Sequence, residues 1–160
     1  MTRPSILFLC TGNACRSQMA EGWARALLGD RVRAFSAGVE PHGLDPRAVR
    51  AMAEAGVDIA GHRSKRIEDL AEDRFDLVVT VCDRAREACP VLPGAARTLH
   101  RGFEDPPRLA RGAATEEAAL EPYRRVRGEI RRFVESLPDE FGELTGESTR
   151  AEDGRDGSRP

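Results

Sequence analysis

The chain has 160 residues, a length that suits one domain with a single core. Its 27 acidic and 25 basic residues nearly balance, so net charge gives no reason to expect a nucleic acid or a membrane surface as a partner. No apolar run approaches the roughly 20 residues of a membrane-spanning helix, and residues 5–10 are too short for a secretory signal, so we expect a cytoplasmic protein.

The first predicted elements are a strand and a helix joined by a tight loop. The apolar run Ser5–Leu9 predicts a buried strand, and the residues after position 17 predict a helix. Between them, Gly12 and Asn13 suit positive φ, and Ser17 suits a helix cap. Backbone N–H groups of such a loop, with a helix N-terminus, form a cradle for a tetrahedral oxyanion. The predicted oxyanion-binding residues are Thr11, Gly12, Asn13, Ala14, Cys15, Arg16 and Ser17.

Cys10 stands at the entrance of this loop, where a positive field favours the nucleophilic thiolate form of a cysteine. Arg16 offers a planar fork of donors for two anion oxygens, and the Ser17 hydroxyl is placed to hydrogen-bond the sulfur. A C-x5-R pattern alone occurs often by chance, and a cysteine that ends a buried strand is most often a small core residue. The strand before and the helix after favour a catalytic Cys10, whereas Cys15 is expected to be structural or incidental.

The remaining elements alternate between strands and helices. This alternation predicts a single α/β catalytic domain over residues 1–137, with a four-stranded parallel sheet and helices on both faces. Residues 138–160 are rich in charged and small residues and are expected to form a disordered acidic and polar tail. The further strands are predicted over Val32–Ala37, Phe75–Val81 and Arg97–Leu99. The further helices are predicted from Asp45-Pro46, from Ser64 to Leu70, over residues 83–89 and from Pro122 onward.

Two more cysteines belong to the third strand and its following helix. Cys82 closes that strand, so it should reach the same edge of the sheet as Cys10. Cys89 comes seven residues later, about 10 Å along an intact helix, whereas a disulfide needs Cα atoms within about 7 Å. The two thiols either never meet or form a switch that unwinds the helix. A metal site is not expected, because C-x6-C is an unusual ligand spacing. In a reducing compartment, three such cysteines favour a thiol–disulfide relay.

These motifs resemble the thioredoxin-coupled arsenate reductases, which share the fold of low-molecular-weight tyrosine phosphatases. The resemblance implies that fold and the reduction of arsenate to arsenite, with phosphate or sulfate as competing anions. It implies no bound cofactor, thioredoxin as the external reductant, and a monomer. It covers roughly residues 4–137 and rests on CTGNACRS at 10–17, SAGVEP at 36–41, HRSK at 62–65, VTVCD at 79–83, CP at 89–90 and FEDP at 103–106.

The resemblance also implies a role for each thiol. The Cys10 thiolate attacks arsenic held by Arg16, while Asp105 protonates the departing hydroxyl group. Cys82 then attacks Cys10, and arsenite leaves as a Cys10–Cys82 disulfide forms. Cys89 next attacks Cys82, and thioredoxin reduces the resulting Cys82–Cys89 bond. Without the resemblance, Asp105 would be interpreted as a turn residue on the surface.

A cation site beside the loop is also implied. Asn13, Glu21 and Ser36 match positions that build a potassium site in some members of that family. Those members carry an acidic residue where this chain has Lys65, its only lysine. We hypothesise that the Lys65 ammonium takes the place of the cation, pairs with Glu21 and supports Asn13. The alternative is a solvated surface residue, as most lysines are.

Two other functions stay open at this point. A phosphatase would use the same loop, and weak phosphatase side activity is expected in any case, because phosphate and arsenate have nearly the same shape. A dedicated phosphotyrosine site needs aromatic walls, but Pro107 follows Asp105-Pro106, and the only tyrosine, Tyr123, begins a distant helix. A redox sensor would use the same thiols without turnover.

Overall fold

The protein is built on a four-stranded parallel sheet in the order β2-β1-β3-β4. The computed structural model describes residues 3–82 and 94–145, with side chains described up to Pro138. All six residues of β1 are buried, which requires cover on both faces of the sheet centre. The predicted single-domain α/β fold is confirmed. The strands are β1 (Ser5–Cys10), β2 (Arg33–Gly38), β3 (Leu77–Thr80) and β4 (Thr98–His100).

The strand ends differ from the sequence prediction by one or two residues. β3 begins at Leu77 because Phe75 makes only an isolated bridge, to Ala95. β2 extends through Gly38, and β4 is shifted one residue towards the C-terminus. These shifts do not change the predicted alternation between strands and helices.

The register of the two central strands brings two sulfur-bearing segments to one edge. Leu9 pairs with Thr80 across β1 and β3, while Cys10 pairs with Gly38 across β1 and β2. Because the strands are parallel, β1 and β3 end at the same edge of the sheet. Cys82 follows two residues after the end of β3 and therefore lies at the edge where Cys10 ends β1.

Three helices, α1, α2 and α4, pack against one another, and α3 packs on α4. Asp45 caps α2 as predicted: its side chain accepts a hydrogen bond from the Arg47 amide, and Pro46 holds the first helical position. No helix in the described part of the chain is both long and apolar enough to cross a membrane. The helices are α1 (Arg16–Leu28), α2 (Pro46–Glu54), α3 (Pro106–Ala110) and α4 (Glu116–Thr145).

Two predicted helix caps are wrong. Cys15, not Ser17, occupies the N-cap position of α1, and the Ser17 hydroxyl is turned into the protein. Ser64 caps no helix, because its hydroxyl donates to the Gly12 carbonyl instead. Only a 3-10 helix, Ile67–Asp69, forms after it. In both cases a hydroxyl that could cap a helix instead supports the loop after β1.

The start of α4 is also earlier than the sequence predicted. Pro122 was expected to begin this helix but lies within it. The Thr115 hydroxyl caps the helix by accepting a hydrogen bond from the Ala118 amide. Proline inside a helix removes one backbone hydrogen bond at a cost of about 3 kcal/mol. Burial of the neighbouring Tyr123 against the core offsets part of that cost.

The end of α4 corrects the predicted domain boundary. The helix continues through Pro138 to Thr145, so a tail that begins at residue 138 is wrong for residues 138–145. Residues 146–160, and the helix predicted over 83–89, lie outside the described residues.

Candidate active site

A cavity of about 830 Å³ opens at the carboxyl edge of β1. The loop over residues 10–17, hereafter the anion loop, forms one wall, and the segment that leads into α3 forms another. The cavity therefore collects residues that the sequence placed far apart. Those with reactive or charged side chains include Cys10, Arg16, His42, Cys82, Asp105 and Arg108.

The anion loop is shaped by one strained residue and one close approach. Asn13 adopts a φ of 49°, the left-handed conformation that asparagine tolerates better than most residues. Gly12 does not adopt a positive φ, contrary to the prediction. A Cβ atom at Gly12 would lie 2.6 Å from Nδ1 of His42, so a larger residue there would require the exposed His42 ring to move.

Asn13 is a fully buried hub that links the Cys10 sulfur to the rest of the loop. Its amide nitrogen donates to the Ser17 hydroxyl at 2.8 Å and to the Ser36 hydroxyl at 3.0 Å. Its amide oxygen accepts from the Lys65 backbone amide at 2.9 Å. The Ser17 hydroxyl in turn lies 2.9 Å from the sulfur of Cys10, the contact that the sequence predicted. Ser17, which contacts the Cys10 sulfur, is thus held by buried hydrogen bonds.

Glu21 lies beside this hub and contacts two positively charged side chains. Its carboxylate accepts from the Ser36 hydroxyl at 2.6 Å and from Arg25 at 2.7 Å. The Lys65 ammonium lies 3.8 Å from the same carboxylate, in agreement with the hypothesis that it pairs with Glu21. The prediction that this ammonium supports Asn13 is wrong, because the backbone amide of Lys65 makes that contact. Burial lowers the pKa of Lys65, and the charge of Glu21 opposes that shift.

Gln18 and His62 are two contributors that sequence reasoning missed. The Gln18 amide nitrogen donates to both oxygens of Asn13, backbone at 3.2 Å and side chain at 3.0 Å. Its oxygen must therefore accept, so Nδ1 of His62, 3.0 Å away, is the donor. Burial lowers the pKa of His62. The HRSK motif at 62–65 marked this segment, but no local pattern relates it to Gln18.

Arg16 and Asp105 form an ion pair in the wall of the cavity. One Arg16 nitrogen donates to the Phe103 carbonyl at 2.9 Å, and another lies 3.5 Å from the Asp105 carboxylate. Asp105 occupies the N-cap position of α3, yet its side chain makes no capping hydrogen bond. The carboxyl group therefore remains available to the cavity that it lines.

Cys82 lies directly against the anion loop. Its sulfur accepts a hydrogen bond from the Thr11 backbone amide at 3.2 Å and lies 3.2 Å from the Thr11 hydroxyl. Cys10, the residue before Thr11, and Cys82 are both buried free thiols. Cys89 lies outside the described residues. Within the described residues, no three His, Cys, Asp or Glu side chains come together as metal ligands.

The fourth cysteine has a different environment. Cys15 is buried, and burial together with the charge of Asp45 raises the pKa of its thiol well above the ordinary value. Tyr123 is also buried and donates to the Asp45 carboxylate at 2.6 Å. The Tyr123 ring does not line the cavity. Because its pKa is raised, Cys15 stays an uncharged thiol at neutral pH.

Comparisons with known proteins agree with this geometry. The profile of the low molecular weight phosphotyrosine protein phosphatases matches residues 5–150. An arsenate reductase of Bacillus licheniformis is 47% identical over 140 residues, which cover 85% of this chain and 99% of that protein. A solved arsenate reductase in the phosphate binding state is 33% identical, with a TM-score of 0.68 over 86% of this chain and 98% of its own. The thioredoxin-dependent arsenate reductase of Corynebacterium glutamicum is 26% identical, with a TM-score of 0.60 over 86% of this chain and 63% of its own.

Proposed function

The chain belongs to the low molecular weight phosphotyrosine protein phosphatase family, and we propose that within it the chain reduces arsenate to arsenite. The observation that carries this proposal is the sulfur of Cys82, held by Thr11 beside the Cys10 loop. Hydrolysis of a phosphate ester needs one nucleophilic thiol and one acid. A second thiol beside the anion loop supplies the electrons that a reduction needs.

The first step is the attack of the Cys10 thiolate on arsenic(V). The oxyanion sits in the anion loop, and Arg16 binds two of its oxygens. A sulfur–arsenic bond forms as one hydroxyl leaves, and Asp105 gives it a proton so that it departs as water. The cavity position of both side chains supports these roles.

The second step transfers the electrons. The Cys82 thiolate attacks the sulfur of Cys10, and the electron pair of the sulfur–arsenic bond passes to arsenic. Arsenic(V) becomes arsenic(III), the two thiolates become the Cys10–Cys82 disulfide, and arsenite is released. The hydrogen bond from the Thr11 amide supports this step, because it holds the Cys82 sulfur beside the residue that follows Cys10.

The third step restores the nucleophile. The Cys89 thiolate attacks the Cys82 sulfur, so Cys10 leaves as a thiolate and a Cys82–Cys89 disulfide forms. Thioredoxin then reduces that bond by thiol–disulfide exchange. The name of the Corynebacterium glutamicum neighbour supports this choice of reductant. A reducing cytoplasm would supply it, and the relay as proposed uses the thiols of a single chain, as a monomer would.

One coupled assay tests the proposal. NADPH consumption is followed with thioredoxin and thioredoxin reductase, with and without arsenate, for the wild type and for Cys82→Ser and Cys89→Ser. We expect steady turnover for the wild type only, with at most one arsenite per chain released by Cys89→Ser. Ser136→Ala, on the exposed surface of α4 and outside the cavity, is the control, and we expect it to retain turnover.

Three results would contradict the proposal in different ways. Steady turnover of Cys89→Ser with thioredoxin would exclude the three-thiol relay. Hydrolysis of small phosphate esters without arsenate-dependent NADPH consumption would favour a phosphatase, which the family also accommodates. Cycling of the disulfide without any arsenite would favour a redox sensor.

A further inference from the structure

The charges around the cavity are unevenly compensated. Two acidic residues line it, and each has a cationic partner: Arg16 faces Asp105 at 3.5 Å, and Arg125 binds Glu104 at 2.7 Å. The acidic side chains therefore add little net negative charge to the cavity.

Two arginines at the cavity differ from these residues. Arg108 and Arg111 line the cavity and are exposed. Within the described part of the chain, neither guanidinium group has an ion pair, a side-chain hydrogen bond or an aromatic contact. Several other arginines in the described residues are ion-paired, such as Arg124 with its three glutamates. The positive charges of Arg108 and Arg111 are therefore not neutralised by a described side chain, and they attract an anion that enters the cavity.

The placement of both arginines follows from the short helix α3. Pro106 and Ala110 are buried where this helix packs on α4. Arg108 lies between them in the sequence, and Arg111 follows the last helical residue. Because the buried residues fix the helix against α4, the backbone of Arg108 and Arg111 is held beside the cavity that both residues line.

We propose that Arg108 and Arg111 form a cationic rim that raises the affinity of the cavity for doubly charged tetrahedral oxyanions. The rim acts through its field, in addition to the direct donors of the anion loop and Arg16. Coulomb energy is proportional to the charge of the ligand, so a dianion gains twice what a monoanion of the same shape gains. The rim therefore selects by charge, whereas the anion loop selects by shape. The identity of the substrate rests on the proposed function, but the rim itself does not.

Sulfate and perchlorate separate these two contributions, because both are tetrahedral and carry two charges and one charge, respectively. Their dissociation constants are measured by calorimetry for the wild type and for Arg108→Gln/Arg111→Gln. At an ionic strength of about 10 mM, we expect roughly threefold to tenfold weaker sulfate binding. The loss for perchlorate should be about the square root of the loss for sulfate. Both losses should shrink towards none at about 0.5 M salt.

The double variant Arg31→Gln/Arg74→Gln is the matched control. It removes the same total charge from two exposed arginines that lie outside this cavity. Unchanged sulfate binding in the rim variant, an equal loss in the control, or a loss that persists at high salt would each overturn the proposal. In turnover, the rim variant should raise the KM for arsenate and leave kcat unchanged. If the wild type reduces no arsenate but the sulfate result holds, the proposed function fails and the rim stands.

Discussion

The hydroxyl of Ser17 lies 2.9 Å from the sulfur of Cys10. The same oxygen accepts a hydrogen bond from the Asn13 amide at 2.8 Å, which leaves the Ser17 proton free to point at the sulfur. A serine that the sequence also allowed as a helix cap is thus placed to donate to the Cys10 sulfur. This contact, rather than the cap, accounts for serine at position 17.

Replacing Ser17 with alanine should slow the reaction of Cys10 with iodoacetamide. A hydrogen bond to a charged group contributes about 1.5 kcal/mol or more, and its loss also makes the sulfur a stronger nucleophile, so we expect a roughly threefold slower alkylation at pH 6. Mass spectrometry of the modified peptide measures the rate for Cys10 alone. Ser136→Ala, which removes a hydroxyl from the surface of α4, should alkylate at the wild-type rate. Equal rates for Ser17→Ala and wild type would show that the contact does not stabilise the thiolate.

Replacing Thr11 with valine should affect the second chemical step and not the binding of the anion. Valine keeps the shape and the backbone amide but removes the hydroxyl 3.2 Å from the Cys82 sulfur. One hydrogen bond of about 1 kcal/mol predicts a roughly fivefold slower release of arsenite in a single turnover. Phosphate binding should be unchanged, and Thr11→Ser should restore the rate. Weaker phosphate binding at a normal rate of release would place the role of Thr11 in the loop instead.

Replacing Lys65 with methionine should make the protein sensitive to the type of cation. The change leaves Glu21, which is 5% exposed, without the ammonium 3.8 Å away. We expect a loss of about 1–2 kcal/mol in the free energy of unfolding in NaCl, partly recovered in KCl. The wild type should behave alike in both salts, and so should Arg63→Met, which removes a neighbouring positive charge. A large potassium-specific rise in wild-type activity would contradict the hypothesis.

Replacing Glu54 with glutamine should destabilise the protein at neutral pH but not in acid. Hydrogen bonds from Arg124 are the main cause that lowers the pKa of Glu54 to about 2. Partial burial acts in the opposite direction, and the contact with Arg127 lowers the pKa further. Between that value and the ordinary one near 4.5, the unfolded chain binds more protons at this site than the folded one. The stabilisation is therefore complete above the ordinary pKa and lost as the pH falls towards 2.

Thermal unfolding from pH 7 to pH 2 measures this dependence. The difference in Tm between wild type and Glu54→Gln should narrow as the pH falls through that window. Glu135→Gln removes an exposed contact with Arg131 within one helix and should change Tm little at any pH. A difference that stays constant with pH would assign the loss to packing rather than charge.

Local patterns predicted the features whose causes are local. The apolar run of β1 and the Asp45-Pro46 cap of α2 depend on neighbours in the chain, and both are present. The order of the elements also sufficed to bring Cys10 and Cys82 to one edge, because parallel strands end together.

The errors come from competition between distant partners. Ser17 and Ser64 have the chemistry of helix caps, but Cys10 and the Gly12 carbonyl bind their hydroxyl groups instead. Gln18 reaches His62 across 44 positions, a distance at which no periodicity carries information. At Pro122, burial of the neighbouring side chain outweighs the low helix propensity of proline, which predicts a helix that begins there.

The pairing of Leu9 with Thr80 has a consequence for any redesign of this protein. Side chains of a strand alternate between the two sides of a sheet, so removing one residue from β3 would turn every later side chain over. Cys82 would then be displaced from Thr11 while all the reacting groups remained present in the sequence. The position of the Cys82 sulfur therefore depends on the residues of β3, which do not line the cavity, and a scan of single-residue deletions along β3 would locate where that dependence begins.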